Sequence, residues 1–195
     1  MTKKQILITA FIVVAMVQLL VPAKMIWDKE NILKTGKEFK FEVAPVDPTD
    51  LFRGKYIILQ FKENSFPVKS TEEWLEAKEV YVILKPDSEG FAKIQSISKV
   101  KPDDNKDYVK AKVDYLSGMY SKNITISYPF HKFYMEETKA PEAEWAYHES
   151  ARDSTQNVYA LVAIKKGEAV IKNVFIDGIP IKEVVERNRE ENHFN

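Results

Sequence analysis

The sequence contains no cysteine, only three histidines and six glycines among 195 residues, and no net charge, because 29 basic residues offset 29 acidic ones. Without cysteine there is no disulfide framework, thiolate nucleophile, Cys-ligated zinc or iron–sulfur cluster. His131, His148 and His193 lack the short spacings of a metal site, and the glycines form no nucleotide-binding pattern. A balanced charge also argues against a nucleic-acid partner. The sequence therefore predicts no cofactor, no metal and no nucleic acid.

The zero net charge is the sum of two unlike parts of the chain. Residues 1–27 contain three lysines and no acid, a charge of +3, whereas residues 28–195 contain 26 bases and 29 acids, a charge of −3. The 19 residues from Gln5 to Ala23 carry no charge. As a helix they would extend about 28 Å, close to the thickness of a bilayer's hydrocarbon core. Because this segment has no polar face, it predicts a transmembrane helix rather than a surface helix.

The alternative for this segment is a cleaved signal peptide, since residues 21–23 offer a small-residue cleavage pattern. The apolar stretch exceeds the roughly 7–15 residues of a signal peptide core, which favours an uncleaved anchor that contacts membrane lipid through residues 5–27. Lysines flank both ends, but long domains translocate largely regardless of charge. We therefore expect a bacterial inner membrane protein with its amino terminus in the cytoplasm and residues 28–195 in the extracytoplasmic cell envelope.

Beyond the anchor, apolar residues recur mostly with the period of two that is typical of β-strands. Two segments alternate between apolar and charged residues, which predicts half-buried strands, namely 39–43 and 109–115. Three segments are apolar on both faces, as central strands are, namely 56–61, 80–84 and 158–164. Shorter strand candidates are 91–97, 124–128 and 169–176. The sequence therefore predicts a mainly β domain over residues 28–183, folded as a compact β-barrel or sandwich.

A few turns and short helices complete this prediction. A hairpin is expected at 165–168, where Gly167 can supply a positive φ, and a second turn at 177–178. Short helices are expected at 70–77 and at 141–149, the latter beginning with a proline. The polar carboxyl-terminal segment 184–195 is expected to fray.

One stretch combines turn chemistry with a following strand more densely than any other. Pro48 restricts its own φ and favours an extended conformation for Asp47, whose carboxylate can then accept backbone amides of the turn that follows. Gly54 can end that turn in a left-handed conformation, and Arg53 lies within ion-pair reach of Asp50. In the strand that follows, alternate residues share a face, Tyr56, Ile58 and Gln60 on one side and Ile57, Leu59 and Phe61 on the other.

This stretch resembles the signature of the GDYXXLXY proteins. The matching residues are Pro45, Val46, Asp47, Pro48, Asp50, Leu51, Arg53, Gly54, Tyr56 and Leu59. Lys55 stands where the family has aspartate, and Phe61 where it has tyrosine. Segments 128–137 and 167–180 also resemble later blocks of the family.

The resemblance implies a membrane-anchored protein without an established activity and an accessory role beside a multi-span membrane protein. It also implies a structural or binding role for the motif residues Asp47, Pro48, Asp50, Arg53, Gly54, Tyr56, Leu59 and Phe61. If the signature aspartate were catalytic throughout the family, this protein, with Lys55 there, would be inactive.

Two enzymatic interpretations compete with a binding role. A signal-peptidase-like fold is suggested by Pro48 and Thr49, but residues 44–47, where the nucleophilic serine would lie, contain no serine. A hydrolase could instead use the acidic and aromatic segment 131–149. Against this, adjacent residues such as Glu136 and Glu137 point to opposite faces of a strand.

The last candidate pair, Glu144 and His148, is spaced for one helix face, where a solvated ion pair is expected. The sequence therefore favours a binding or scaffolding accessory to membrane proteins, with the hydrolase as the alternative.

Overall fold

The computed structural model describes residues 2–44, 56–117, 122–136, 138–153 and 155–193, with side chains up to residue 190 in the last segment. The helices are α1 (Lys3–Thr35), α2 (Ala140–Arg152) and α3 (Ile181–His193). The strands are β1 (Lys37–Ala44), β2 (Tyr56–Ile58), β3 (Gln60–Phe61), β4 (Ser65–Pro67), β5 (Glu79–Pro86), β6 (Ala92–Ser98), β7 (Tyr108–Ser117), β8 (Asn123–Ser127), β9 (Lys132–Tyr134), β10 (Val158–Lys165), β11 (Glu168–Ile176) and β12 (Ile179–Pro180).

The first helix is long and apolar enough to span a membrane, and none of its apolar window is buried against the protein. Thr2 caps it, because the Thr2 hydroxyl accepts the Gln5 amide while the Gln5 side chain accepts the Thr2 amide. The expected anchor is therefore helical. Its predicted end at residue 27 does not correspond to a break, because α1 continues to Thr35 and buries Ile32 against the β domain.

Among the described residues, the strands form two five-stranded sheets and one two-stranded sheet, and each pair of neighbouring strands within them is antiparallel. Their orders are β12-β11-β10-β1-β3, β4-β8-β7-β5-β6 and β2-β9. Two isolated parallel bridges join the larger sheets, one between Lys40 and Phe91 and the other between Val109 and Gly167. The result is a nearly closed barrel-like sheet with two short helices, which confirms the mainly β prediction and selects the barrel over the sandwich.

Two of the three strands predicted to be central are central. The 80–84 segment lies in β5 between β6 and β7, and the 158–164 segment lies in β10 between β1 and β11. The third prediction is wrong, because the 56–61 segment divides at Leu59 into β2 and β3, which pair with different strands. Only one of its faces is covered, and Ile58 on the other face remains 38% exposed.

Four aromatic rings form the packed centre beside β1 and β3. Phe41, Phe61, Tyr128 and Phe130 contact one another in all six pairs, with ring centroids between 5.0 and 5.8 Å apart. The Tyr128 hydroxyl donates a 2.7 Å hydrogen bond to the carbonyl of Glu63, and burial raises the pKa of this phenol. This aromatic quartet ties β1 and β3 to the segment that leads from β8 to β9.

The two predicted turns, at 165–168 and 177–178, are confirmed by positive φ angles. The hairpin between β10 and β11 has φ of 51° at Lys166 and 89° at Gly167, and the next turn has 49° at Asp177 and 80° at Gly178. Helix α2 has its proline in the first turn, as expected. The 70–77 segment forms only a single 3₁₀ turn, Glu72–Trp74.

The expectation of a frayed carboxyl end is wrong for α3. Ile181 and Val185, one helical turn apart, are fully buried in an otherwise charged sequence. The Arg189 guanidinium binds both carboxylate oxygens of Glu142 on α2, at 2.6 and 2.9 Å. Tertiary contacts with α2 therefore hold a helix that its polar composition would not stabilise alone, and the predicted boundary between residues 183 and 184 falls inside it.

Candidate functional site

The predicted motif lies only partly in the described structure. Asp47, Pro48, Asp50, Arg53 and Gly54 fall outside the described residues. Leu59 and Phe61 are 2% and 4% exposed and belong to the core. The Tyr56 ring lies on the surface of β2, 5.5 Å from the Tyr134 ring and 4.6 Å from the Lys132 ammonium.

Lys132 and Tyr134 also belong to a cleft of about 950 Å³ in the side of the barrel. Residues 167–173 of the β10–β11 turn and β11 form one wall. Residues 110–112 of β7 and the 127–134 segment form the other. Lys29 of α1 and Lys182 of α3 complete the lining of this space, which we call the lysine-rimmed cleft.

The cleft opens where pairing between two strands stops. At its base the Lys110 amide donates to the Gly167 carbonyl at 3.0 Å, and this bond closes the barrel locally. Beyond this point β7 pairs with β8, where Lys112 lies opposite Ser127. Strand β11 continues along β10 instead. The two walls therefore diverge, and the barrel remains open between them.

The cleft is cationic although the domain that contains it is acidic. Six lysines and two glutamates line it, namely Lys29, Lys110, Lys112, Lys132, Lys172 and Lys182 with Glu79 and Glu168. Lys29 pairs with Glu168 at 2.7 Å, and Lys110 pairs with Glu79 at 2.6 Å. Among the residues the structure describes, no carboxylate lies within ion-pair distance of Lys112, Lys132 or Lys182. Lys182 does interact electrostatically with Glu186, whereas the charges of Lys112 and Lys132 remain available for an anionic ligand.

Apolar side chains line the cleft between the lysines. Phe130 and Phe133, 5% and 7% exposed, contribute from one wall, and the half-buried Val170 and Ile171 from the other. Aromatic and aliphatic surface between cationic side chains suits a ligand that is apolar on one side and anionic on the other.

The acidic segment proposed for a hydrolase does not assemble a carboxylate pair among its described residues. Glu142 is bound to Arg189, and Glu136 lies exposed beyond the end of β9. Glu144 lies beside His148 with 4.0 Å between carboxylate and imidazole. Glu137 lies outside the described residues. None of the four described carboxylates of the segment, Glu149 included, lines the lysine-rimmed cleft.

The expectation of a solvated Glu144–His148 pair is wrong, since the two side chains are 12% and 11% exposed. They are covered because this face of α2 packs onto the barrel. Burial raises the pKa of the Glu144 carboxyl above its ordinary 4.5. Within the described part of the chain, no group of three or more potential ligands could hold a metal ion.

The raised pKa of Glu144 leads to a pH-dependent prediction. Above pH 4.5 the folded state holds this proton more tightly than the unfolded chain, so the contribution of Glu144 to stability falls as pH rises. Glutamine does not ionise, so Glu144→Gln should gain stability relative to the wild type on going from pH 4 to pH 7. Denaturant unfolding at both pH values measures this, with Glu149→Gln on the exposed side of α2 as control. A difference independent of pH would contradict the prediction.

The fold and the cleft define a class of protein: a β-barrel domain with a cationic cleft, carried on one apolar helix that can anchor it in a membrane. The chain belongs to the GDYXXLXY protein family, whose model matches residues 18–174. The resemblance seen in the motif is thereby confirmed. Neither curated proteins nor solved structures provide a match.

The cleft lysines were not recognisable as a group in the sequence. Lys110 and Lys112 alternate with Val109 and Ala111, which indicates a strand with one solvent-facing side. That pattern does not show which other segments line the same space. Lys172 and Lys182 lie more than fifty residues further along the chain, and only the barrel topology brings them to the cleft.

Proposed function

We propose that this protein is a single-pass protein of the bacterial cytoplasmic membrane. Its amino terminus lies in the cytoplasm and its β domain on the extracytoplasmic side, where the domain serves as a binding or scaffolding accessory to another membrane protein. The observation that carries this proposal is the position of the lysine-rimmed cleft, which is lined at one end by Lys29 of the anchoring helix.

The anchor and the domain are held together firmly enough to keep the cleft near the bilayer. Ile32 of α1 is buried in the domain, and the Lys165 ammonium donates to the Thr35 hydroxyl at 2.6 Å. The uncharged stretch ends at Ala23, six residues before Lys29, which is about 9 Å along a helix. The end of the cleft therefore lies close to the lipid headgroups. A partner that is itself embedded in the membrane reaches this position most directly.

The proposal predicts that a photo-crosslinking amino acid at position 112 in the cleft captures an integral membrane protein in cells. The same group at position 85, an exposed lysine of β5 outside the cleft, serves as the control. We expect an adduct at position 112 whose captured partner, identified by mass spectrometry, has membrane-spanning segments of its own, and an adduct at least several-fold weaker at position 85.

Protease treatment of spheroplasts checks the topology on the same strain, with residues 28–195 expected to be degraded before lysis. Adducts of equal strength at both positions, or adducts only with soluble proteins, would contradict a membrane accessory. Protection of the domain until lysis would contradict the orientation.

A further inference from the structure

We propose that the lysine-rimmed cleft binds an acidic polypeptide segment in extended conformation, as a strand added to the open edge of β11. This inference deepens the proposed function and rests on it, since the segment would belong to the membrane partner. Strand addition requires an unpaired edge, space beside it and complementary side chains, and the cleft has all three.

The unpaired edge belongs to β11. This strand pairs with β10 from Glu168 to Ile176. Its second edge pairs with β12 only at Phe175 and Ile176. Along 168–174, the described residues include no strand paired with that edge. Exposed edges of this kind are the usual template for an added strand.

Hydrogen-bond alternation shows which backbone groups face the cleft. Lys166 and Gly167 form a two-residue turn, so Lys165 and Glu168 are the hydrogen-bonded pair that closes the hairpin, and the backbone groups of Glu168 point toward β10. Successive residues of a strand direct their backbone groups to opposite edges. Ala169 and Ile171 therefore direct their amides and carbonyls away from β10, toward the cleft.

The opposite wall offers a second open edge. β9 pairs with β2, and the His131 carbonyl at its start accepts the Leu59 amide at 2.9 Å. By the same alternation, Lys132 and Tyr134 direct their backbone groups away from β2. Both residues line the cleft. The added strand therefore pairs with β11, and the open edge of β9 borders the same cleft.

The side chains around this space specify the chemistry of the added strand. The cations of Lys112, Lys132 and Lys182 lie without a described carboxylate in ion-pair reach. Apolar surface from Phe133 and Ile171 lies between them. An added segment with alternating acidic and apolar residues satisfies both features. Residues 168–173 offer an edge of about 20 Å, enough for roughly six residues.

An anionic lipid headgroup is the main competing occupant, because Lys29 adjoins the membrane. A headgroup would satisfy the lysines but would leave the backbone edges of β11 and β9 unpaired. The unpaired edge of β11 therefore favours a polypeptide over a lipid.

The test uses the full-length chain in nanodiscs of zwitterionic phosphatidylcholine. The probe is a fluorescein-labelled heptapeptide of alternating glutamate and valine with blocked ends, and binding is followed by fluorescence anisotropy. We expect saturable binding that weakens about tenfold or more when lysine replaces glutamate. A similar loss is expected when alternate amides of the acidic peptide are N-methylated, because the methyl groups remove strand hydrogen bonds.

Variants of the protein separate charge from backbone pairing. Lys112→Glu should weaken binding of the acidic peptide about tenfold, whereas Lys85→Glu, on β5 outside the cleft, should not change it. Ala169→Pro removes an amide that faces the cleft and should weaken binding. Ala169→Val keeps that amide and should bind as the wild type does.

Absence of binding by the acidic peptide, or equal binding of its N-methylated form, would overturn strand addition. If N-methylation does not weaken binding, and phosphatidylglycerol vesicles displace the acidic peptide and its N-methylated form alike, the occupant is a lipid headgroup instead. The position-112 crosslinks separate the two proposals. If the crosslinks to a membrane protein form but the acidic peptide does not bind, the accessory role stands and strand addition is wrong. If neither the crosslinks nor peptide binding is observed, the accessory role is wrong as well.

Discussion

Replacing Phe41 by alanine should lower the free energy of unfolding by about 3–5 kcal/mol, the usual cost of removing a buried phenylalanine. The Phe41 side chain is 0% exposed, and its ring touches the three other rings of the aromatic quartet. Alanine would leave a cavity that these rings cannot fill without losing contact with one another. Denaturant unfolding of the detergent-solubilised chain, followed by tryptophan fluorescence, measures the loss.

The control for this prediction is Tyr115→Ala on β7, where the side chain is 60% exposed. That change should cost about 0.5 kcal/mol or less. Phe41→Leu, which fills part of the cavity, should fall between the two alanine variants. Equal losses for Phe41→Ala and Tyr115→Ala would show that the quartet does not hold β1 and β3 to the β8–β9 segment.

Gly167→Ala should destabilise the protein substantially more than the matched change Gly178→Ala. Both glycines have positive φ, 89° and 80°, so alanine at either costs roughly 1–2 kcal/mol of backbone strain. At Gly167 a new Cβ would also lie 2.6 Å from Cε2 of Tyr108, a ring that is 1% exposed. At Gly178 no heavy atom of the described residues beyond its two chain neighbours lies within 4 Å of the new Cβ. We expect a further cost of about 1–3 kcal/mol at Gly167 from overpacking.

Asparagine variants separate strain from crowding in the same unfolding assay. Asparagine tolerates positive φ better than alanine does, so Gly178→Asn should recover part of the lost stability. Gly167→Asn should recover none, because the clash with Tyr108 remains. Equal losses at the two positions would show that the Tyr108 ring can move aside, and that Gly167 is required for its φ alone.

Local features of the chain were predictable because their causes are local. The anchoring helix follows from an uncharged stretch of membrane length, and the positive φ at Gly167 and Gly178 follows from turn chemistry. The alternation in 39–43 and 109–115 predicted half-buried strands, which the structure confirms as β1 and β7 except at Tyr115, where a register shift after Val113 leaves the side chain 60% exposed. Each of these inferences needs only neighbouring residues.

Features that depend on which segments meet were not predictable in the same way. Ile58 is apolar, but whether anything covers it depends on the partners of β2 and β3. The charged α3 is helical because Ile181 and Val185 are buried in the core and Glu142 binds Arg189. Composition alone indicated a polar tail. It could not show these contacts, because they join residues far apart in the chain.

By itself, the sequence determined an apolar anchoring segment, a mainly β domain with its turns, and membership of the GDYXXLXY family through a local motif. Only the tertiary structure decided that the barrel stays open beside β11 and that lysines from α1, β7, β9, β11 and α3 border the gap. The physical reason is that secondary structure and turns respond to the order of nearby residues. A cleft depends on where strand pairing stops, and pairing is set by contacts between distant segments.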